Sequence, residues 1–404
     1  MTTYGHSPWL DQFPKSRIPS YPRHRGDTPV DVAIVGGGLT GCLAAYTFAV
    51  AGVKVVLLEA DRIGRGSTGV SSGWIADEPG LPMAELVNAV GRRPAGVAWQ
   101  AWRRAALDFA ALVRRLQIKC TLEPRATVAV AGVEQAALLK REQKARRDAG
   151  IDTPLLTARA IRSEFALDAQ GGLRTKDGST LDPYRACLGL AAAAAARGAQ
   201  IFERSAVRRI TFNRKTADVA TAGGKMRVNR VVVATGMPTQ LFKSLARHFW
   251  FKTTYLVQTA AVPAKTRQLL GRRDVVLRDS ANPPHIIRWI GDDRILVNGA
   301  DGDLVPAAAR DKTVVQRTGQ LMYELSTLYP EISGIQPAFG WSTDYAHTED
   351  GLPYIGAHRN FPHHLFAFGD RSHSLTGAYL ASRVMLRQHL GETDRADDVF
   401  SFNR

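Results

Sequence analysis

Cysteine, long apolar runs and a signal-like N-terminus are scarce or missing in this 404-residue chain. The cysteines Cys42, Cys120 and Cys187 have spacings that fit neither a disulfide framework nor a metal site, and we assign them no chemistry. The longest apolar tracts, such as the alanine-rich run at 188–196, are well short of the ~20 residues that cross a membrane. The N-terminus has no apolar core like that of a signal peptide. We therefore expect a cytoplasmic protein without a membrane span.

Acidic residues are outnumbered, since 53 Lys and Arg against 37 Asp and Glu give a formal net charge of +16. The basic residues are spread along the chain in short clusters, which is typical of solvated helix faces. They are not interleaved with aromatics in the way that single-stranded nucleic acids require for stacking. The charge pattern therefore does not favour nucleic acid as a partner. The length and the 45% hydrophobic content predict two domains, or one large domain with an insertion.

The segment from Asp31 to Glu59 predicts one strand, glycine turn, helix and strand unit that holds a dinucleotide. A short β-branched apolar run precedes Gly36, Gly38 and Gly41, which form G-x-G-x-x-G. The first glycine permits the tight turn, the second lets backbone approach a pyrophosphate, and the third lets the helix pack on the strand.

The next two elements complete this unit. A helix over about 39–51 would point its free N–H groups and its positive dipole end at the phosphates. A second buried strand, 54–58, ends at Glu59, whose carboxylate can accept hydrogen bonds from ribose hydroxyls and would repel a 2′-phosphate. The ligand should therefore be FAD or NAD and not NADP.

Later segments suggest a second sheet. A glycine and serine loop, 63–74, can lay N–H groups and hydroxyls along a ligand or be an ordinary surface loop. The run V-V-V-A-T-G at 231–236 closes another buried strand on Gly236. Strand patterns at 250–262, 274–278, 285–290 and 294–298 predict a mainly antiparallel sheet built separately from the dinucleotide unit. Helices are expected at 83–117, interrupted near Pro94 and Gly96, at 306–328 and at 374–390.

The order of these segments is typical of a known protein family. It continues with D-G-L-P-Y-I-G at 350–356 and then with the C-terminal strand, glycine and helix. Over nearly its whole length the chain resembles the FAD-dependent amine and amino-acid oxidoreductases of the D-amino-acid oxidase, glycine oxidase and sarcosine oxidase superfamily. The arm with Trp9-Leu10-Asp11 is similar to the γ-glutamylputrescine oxidase branch.

The resemblance implies an α/β fold with two parts. A discontinuous Rossmann-type FAD-binding domain would take residues 1–85, 155–240 and 345–404. A substrate domain of mainly antiparallel β-sheet plus helices would take 86–154 and 241–344. The implied reaction moves a hydride from an amine-bearing carbon to flavin N5 and releases an imine that hydrolyses.

The resemblance also implies the residues along the FAD. The pyrophosphate and the adenosine ribose would be held by Gly36, Gly38, Leu39, Thr40, Gly41 and Glu59. The flavin side of the diphosphate would be lined by Arg65, Gly66, Ser67 and Thr68, and the adenine would contact the backbone of Val207. Gly236 would lie at a strand end beside the cofactor, and the isoalloxazine ring would lie over a helix N-terminus formed by Ser372, Ser374, Leu375 and Thr376. Val70, Ser71 and Ser374 stand where the family commonly has Arg, Asn and Gly. The FAD should be non-covalent, because Thr343 stands where covalent members carry cysteine and the early loop, 61–74, has no histidine.

At the substrate end, Tyr345 stands where glycine oxidase carries an arginine that clamps the carboxylate of its substrate. Asp344 could pair with a cationic amine, although strand alternation lets only one of these two side chains face a cavity fully. Arg371 or Arg288 could supply a clamp from elsewhere, and His373 or His285 could tune the protonation of the amine. We expect catalytic roles for Tyr345, Asp344, His373 and Arg371, no metal, and a small-molecule amine or amino acid as substrate, with a polyamine derivative favoured.

Two other functions remain open. One is a tRNA-modifying flavoprotein that acts on an aminomethyl nucleoside, which only the net charge supports. The other is a non-catalytic interaction subunit that contains FAD, which the departures at Val70 and Ser374 support. The electron acceptor, oxygen or another molecule, is also open. Sarcosine oxidases place a lysine near flavin N5, and approximate alignment puts Val297 there, which slightly favours an acceptor other than oxygen.

Overall fold

The structure, a computed structural model, describes residues 1–27, 30–371 and 374–404. No helix that these residues form is both long enough and apolar enough to cross a bilayer. The α-helices, in chain order, are α1 (Pro8–Asp11), α2 (Leu39–Val50), α3 (Met83–Val90), α4 (Arg92–Arg115), α5 (Ala136–Asp148), α6 (Ala158–Phe165), α7 (Pro183–Ala196), α8 (Ala264–Leu269), α9 (Ala307–Leu328) and α10 (Thr376–Leu390). Short 3-10 helices lie at Lys15–Arg17, Ser67–Val70, Gln240–His248, Pro330–Ile332 and Asp398–Phe400.

The strands, in chain order, are β1 (Thr3–Tyr4), β2 (Val32–Val35), β3 (Val55–Leu58), β4 (Trp74–Ile75), β5 (Glu123–Pro124), β6 (Ala126–Ala131), β7 (Leu155–Thr157), β8 (Gly171–Thr175), β9 (Ser179–Thr180), β10 (Gln200–Phe202), β11 (Arg209–Phe212), β12 (Ala217–Ala220), β13 (Lys225–Val228), β14 (Arg230–Gly236), β15 (Trp250–Thr259), β16 (Val275–Arg278), β17 (Ile286–Ile290), β18 (Arg294–Asp303), β19 (Pro337–His347), β20 (Tyr354–His358) and β21 (Phe361–Phe368).

A six-stranded sheet carries the dinucleotide unit. Its order is β10-β3-β2-β14-β21-β20, and only the β20–β21 pair is antiparallel. Strands β2 and β3 are buried on both faces, as expected for parallel strands covered by helices. Helix α2 packs against α7 and α10 on one side. The predicted Rossmann-type unit is confirmed.

A nine-stranded sheet forms the second layer, in the order β1-β19-β15-β18-β17-β16-β6-β8-β7. Its pairs are antiparallel except β1–β19 and β6–β16, so the predicted mainly antiparallel sheet is confirmed. One face of this sheet packs on α9, with Tyr255, Val257 and Val297 in a separate apolar cluster. The other face, with Leu256, Leu296 and Trp341, joins the apolar core of the dinucleotide unit.

Several predicted boundaries were wrong. The helical stretch predicted over 83–117 breaks at Gly91, whose φ of 88° favours glycine, and not at Pro94, which lies in the first turn of α4. Val207, whose backbone the resemblance assigns to the adenine and which we expected in a strand over 206–212, precedes β11. The sequence predicted strand alternation only at Asp344 and Tyr345, whereas the strand there, β19, covers Pro337–His347 at the centre of the site described below.

Candidate functional site

The glycine turn between β2 and α2 is shaped by close backbone contacts. Gly36 has φ of 107°, and a Cβ added there would lie 2.6 Å from the Ala234 carbonyl oxygen. A Cβ on Gly41 would lie 1.8 Å from the Gly36 carbonyl oxygen, so only glycine lets α2 close onto the strand. At Gly38 a Cβ would lie 3.2 Å from Thr68 Oγ1. The turn therefore has the geometry of a dinucleotide-binding fingerprint.

The start of α2 meets the glycine and serine loop. The Leu39 N–H donates a 2.9 Å hydrogen bond to Thr68 Oγ1. Thr40, Ser67 and Thr68 line the same cavity as Leu39. This places hydroxyls and a positive helix end together, which is an anion-binding arrangement suited to a diphosphate.

Glu59 lies at the end of β3, beside the glycine turn. Its Oε2 accepts a 2.6 Å hydrogen bond from the Gly37 N–H, and its Oε1 accepts a 2.8 Å bond from the Asp61 N–H. Its carbonyl oxygen accepts from the Ser205 N–H, so the segment that leads to Val207 runs past this end. A carboxylate at this position fits the adenosine ribose of a dinucleotide.

A first cavity of about 380 Å³ runs from the start of α2 to the start of α10. Its middle is apolar, with Leu256, Ile355 and Leu375 in the wall. Ser71 also lines it, and the buried Ser71 hydroxyl has no hydrogen-bond partner among the described residues. A phosphate-binding end, an apolar middle and an orphaned hydroxyl fit the FAD that the family resemblance implies.

The remaining predicted cofactor residues divide between the cavity wall and its supports. Gly236, Ser374 and Leu375 line the first cavity. Thr376 is buried and its hydroxyl donates to the Ala76 carbonyl oxygen at 2.7 Å, so it supports the start of α10. Arg65 and Gly66 are exposed; a hydrogen bond from Arg65 to the Tyr184 hydroxyl lowers the pKa of that phenol against the larger raising effect of burial. Ser372 and His373 lie outside the described residues.

A second cavity of about 690 Å³ adjoins the first, and Tyr345 lines both. The Tyr345 hydroxyl donates a 2.6 Å hydrogen bond to Asp301 Oδ2, and burial first and the Asp301 carboxylate second raise the pKa of this phenol. Arg371 and His347 stand in the same wall. Sequence reasoning missed Asp301 and His347, because no local motif marks either residue.

His347 is held as a neutral imidazole. Burial, the main cause, and the charges of Arg371 and Lys252 lower the pKa of His347 against the opposing effect of its bond to the Thr348 carbonyl oxygen. His347 Nδ1 donates to that oxygen at 3.2 Å, since a carbonyl can only accept. The other ring nitrogen is then a proton acceptor in the neutral form.

The expectation that the Asp344 carboxylate binds a substrate amine does not fit the structure. Arg310 Nη2 lies 2.7 Å from Asp344 Oδ2, and Thr253 donates to Oδ1 at 2.7 Å. Asp344 is among the residues that line the first cavity, but its carboxylate is already paired with Arg310 of α9. Alternation along β19 gives the cavity face to Tyr345, and we do not carry Asp344 further as a substrate residue.

The Val297 side chain, which approximate alignment puts in the place of a lysine near the flavin, does not line the first cavity. Val297 packs in the apolar cluster under α9, whereas Asn298 lines the first cavity and donates to Thr254 Oγ1 at 2.7 Å. Neighbouring strand residues face opposite sides of a sheet, so a slip of one exchanges them. Neither Val297 nor Asn298 is a lysine, so the preference for an acceptor other than oxygen stays a prediction.

Arg288 and His285 have structural partners. Arg288 is 5% exposed and donates from Nε to the Ser72 carbonyl oxygen at 2.8 Å, so it does not reach into the second cavity. His285 bridges Asp279 Oδ2 at 2.6 Å and Glu324 Oε2 at 2.8 Å. Burial lowers the pKa of His285, but the hydrogen bonds and charges of these two acids outweigh it and raise the pKa to about 9. His285 is thus a protonated link between a loop and α9.

Known proteins resemble this chain in sequence and in fold. The family described as FAD dependent oxidoreductase (DAO) matches residues 31–388. The chain is 27% identical over 371 residues to γ-glutamylputrescine oxidoreductase of Escherichia coli, covering 91% of this chain and 85% of that protein. It is 26% identical over 340 residues to glycine oxidase of Geobacillus kaustophilus, covering 81% and 84%. The crystal structure of that glycine oxidase superposes with a TM-score of 0.77 at 20% identity, covering 93% of this chain and 99% of the other. The chain therefore belongs to the DAO family of FAD-dependent oxidoreductases, and its cofactor is FAD.

Proposed function

We propose that this protein oxidises a carbon–nitrogen bond of an amine that binds in the second cavity. When bound, the flavin supplies the chemistry by accepting a hydride from the amine-bearing carbon, and the resulting imine hydrolyses in water. The residues of this chain bind and orient the amine, exclude water and hold its protons. The observation that carries the proposal is that Tyr345 lines both cavities, so a substrate in the second cavity would lie beside the first.

The charges of the second cavity favour a substrate that carries an anionic group as well as an amine. Arg146 pairs there with Glu142 and Glu78, and Lys252 with Asp303. Among the described residues, no acid lies within ion-pair distance of Arg371. A guanidinium fork of this kind binds a carboxylate with two parallel hydrogen bonds. We infer that Arg371 holds a carboxylate of the substrate.

His347 is placed to accept the proton that the substrate amine must lose before it is oxidised. A protonated amine cannot donate a hydride, because its lone pair is occupied, so the ammonium must first lose a proton. The neutral His347 side chain, in the same wall as Arg371, can accept that proton. We expect the rate of flavin reduction to fall as the pH drops through the lowered pKa of His347, and this limb of the pH profile to disappear in His347→Gln.

The size of the second cavity supports an extended substrate. At about 690 Å³ it is far larger than glycine needs, and its wall continues to α5 and to the loop before β17. The names of the relatives include both γ-glutamylputrescine and glycine. We propose an extended primary or secondary amine with a carboxylate, such as an acylated polyamine, as the preferred class, ahead of a small α-amino acid.

The decisive experiment is anaerobic reduction of the bound flavin across a panel of amines. The panel pairs carboxylate-bearing polyamine derivatives with the same polyamines lacking the carboxylate, and adds glycine, sarcosine, proline and D-alanine. We expect the first group to bleach the flavin at the lowest concentration. If none of them bleaches it, the reaction itself is wrong and the alternative of a non-catalytic subunit gains.

Arg371→Met provides the test of the carboxylate clamp. Loss of charge-assisted hydrogen bonds, at about 1.5–3 kcal/mol each, should raise the concentration for half-maximal reduction about 10- to 150-fold for carboxylate-bearing substrates only. Arg359→Met, which removes an exposed arginine in the turn between β20 and β21, is the matched control. An equal effect of Arg371→Met on amines without a carboxylate would contradict the clamp.

The acceptor is a separate question, which the yield of peroxide answers. One hydrogen peroxide per imine in air identifies oxygen as the acceptor. Imine formation that depends on an added artificial acceptor identifies a dehydrogenase.

A further inference from the structure

The loop Ser71–Gly73 separates the first cavity from a fully buried arginine. Ser71 and Ser72 line the cavity on one side. On the other side, Trp9 Nε1 donates to the Ser71 carbonyl oxygen at 2.9 Å, and Arg288 Nε donates to the Ser72 carbonyl oxygen at 2.8 Å. Two successive carbonyl oxygens are therefore held away from the cavity, which keeps their negative ends from facing an anionic ligand.

The surroundings of Arg288 supply no counter-ion. Its Nη2 lies 3.4 Å from the Leu181 carbonyl oxygen, and the Trp9 ring centroid is 5.4 Å from its guanidinium carbon. No acid of the described residues lies within ion-pair distance of it. The acids whose charge reaches it are both engaged elsewhere: Asp182 with Arg185, and Glu123 with Arg125. Burial is the main reason that the pKa of Arg288 is lowered, to about 9.

The Arg288 guanidinium is packed so closely against the loop that only glycine fits at position 73. A Cβ on Gly73 would lie 2.7 Å from Arg288 Nη2 and 2.2 Å from the Leu181 carbonyl oxygen, and Gly73 has φ of 70°. A buried charge without a counter-charge is strongly unfavourable in a protein interior. Because Arg288 is buried without an acid of the described residues within ion-pair distance, we expect its counter-charge to come from a bound ligand. The ligand site next to it is the first cavity, on the other side of the Ser71–Gly73 loop.

FAD has two anionic parts that could provide the counter-charge: the diphosphate, which is always charged, and the flavin ring, which gains negative charge on reduction. The loop runs from the diphosphate end towards the start of α10. At that end the Leu375 N–H donates to the Trp74 carbonyl oxygen at 2.7 Å, one residue beyond Gly73. The start of α10 is where the family resemblance puts the flavin ring, so the position of the loop favours the ring.

We propose that Arg288 is a positioning residue whose buried positive charge acts through the Ser71–Gly73 loop and favours the reduced, negatively charged flavin ring over the oxidised ring. It holds the loop carbonyls away from the ring and contributes a charge that adds to the N-terminal dipole of α10. It does not touch the substrate. The proposal rests on FAD as the cofactor and is independent of the substrate class.

The test measures the two-electron reduction potential of bound FAD against a reference dye. Arg288→Met keeps the length and apolar stem of the side chain but removes its charge. We expect Arg288→Met to lower the equilibrium constant for two-electron reduction of the bound FAD at least tenfold, which corresponds to a reduction potential about 30 mV more negative. Arg288→Lys, measured at pH 6.5 so that the amine is protonated, should restore at least half of the shift. Arg294→Met is the control, because Arg294 also donates to a backbone carbonyl in the same sheet, that of Thr259.

A second measurement, the dissociation constant of oxidised FAD, separates the possible results. An unchanged potential with a tenfold weaker affinity for oxidised FAD would assign the counter-charge to the diphosphate and overturn the proposal for the ring. No change in either quantity would leave Arg288 a purely structural residue and overturn it as well. If Arg288→Met does not yield folded holoenzyme, Arg288→Gln gives the same comparison, since it is uncharged and still donates a hydrogen bond to the Ser72 carbonyl oxygen.

Discussion

Replacement of Glu59 should weaken FAD binding by an amount that its hydrogen bonds determine. Both carboxylate oxygens accept backbone N–H groups, at 2.6 Å from Gly37 and 2.8 Å from Asp61, and their remaining lone pairs are directed to the adenosine ribose in our proposal. Glu59→Gln keeps the shape of the side chain but replaces one acceptor oxygen by an NH₂ group. If the new NH₂ group points to the backbone, it meets an N–H donor, and if it points to the ribose, one hydrogen bond from a ribose hydroxyl is lost. In either case the remaining hydrogen bonds no longer have a charged acceptor.

The expected size follows from the value of one such bond. A hydrogen bond to a charged group contributes about 1.5–3 kcal/mol, so the loss of one should raise the FAD dissociation constant about 10- to 150-fold. Glu59→Ala loses all of these bonds and should bind FAD more weakly than Glu59→Gln. Apoprotein is titrated with FAD, and quenching of flavin fluorescence reports binding. Thermal unfolding of each apoprotein separates the ribose contribution from that of the two backbone bonds.

A control with the same change in charge is available two residues away. The Asp61 side chain is exposed and its backbone N–H makes the bond to Glu59, so Asp61→Asn should leave FAD affinity unchanged. The assignment of Glu59 to the ribose fails if Glu59→Gln and Glu59→Ala bind FAD as tightly as the parent protein. It also fails if Asp61→Asn weakens binding equally, because the effect would then be one of general charge.

Three other predictions test the turn, the histidine link and the attachment of the cofactor. Gly41→Ala places a Cβ 1.8 Å from the Gly36 carbonyl oxygen and should abolish FAD binding, whereas Gly319→Ala in α9, where a Cβ meets nothing within 4 Å, should leave the melting temperature equal or higher. The pKa of His285 is raised from 6.5 to about 9, so its contribution to folding is fully present below pH 6.5 and is lost as the pH rises to 9. We expect a loss of about 1–2 kcal/mol in the free energy of unfolding over this window, after allowance for solvent screening, and none in His285→Gln; identical pH profiles for the two proteins would contradict the link. Acid precipitation should release all flavin to the supernatant, and fluorescence that stays on the denatured chain would show a covalent bond.

The parts of the site that sequence predicted are those specified by short-range geometry. Gly36, Gly41 and Glu59 act within one unit of fewer than thirty residues, so their spacing alone reports a turn, a helix contact and a carboxylate at a strand end. The antiparallel sheet was predicted for a related reason, because alternation along each strand is local.

The parts that sequence could not predict depend on pairing between distant strands. Asp301 lies 44 residues before Tyr345, and the two side chains meet because β18 and β19 both pair with β15. Arg288 reaches Ser72 across 216 residues. No local pattern distinguishes such an arginine from one at the surface, because the buried environment is made by residues from other parts of the chain.

The register of β15 against β19 decides which side chains of this site face the first cavity and which face α9. Thr254 lies opposite Thr343 and Thr253 opposite Asp344, so Thr254, Thr343 and Tyr345 share the cavity face. On the other face Thr253 donates to Asp344, which pairs with Arg310. A slip of one residue would turn the Asp344 carboxylate into the cavity and bury the Tyr345 hydroxyl against the apolar cluster under α9. Such a slip would also remove the partner of Arg310 and break the Tyr345–Asp301 bond. The ion pair under α9 therefore stabilises the register in which Tyr345 lines both cavities, and Arg310, which lines neither cavity, helps to define the proposed substrate site.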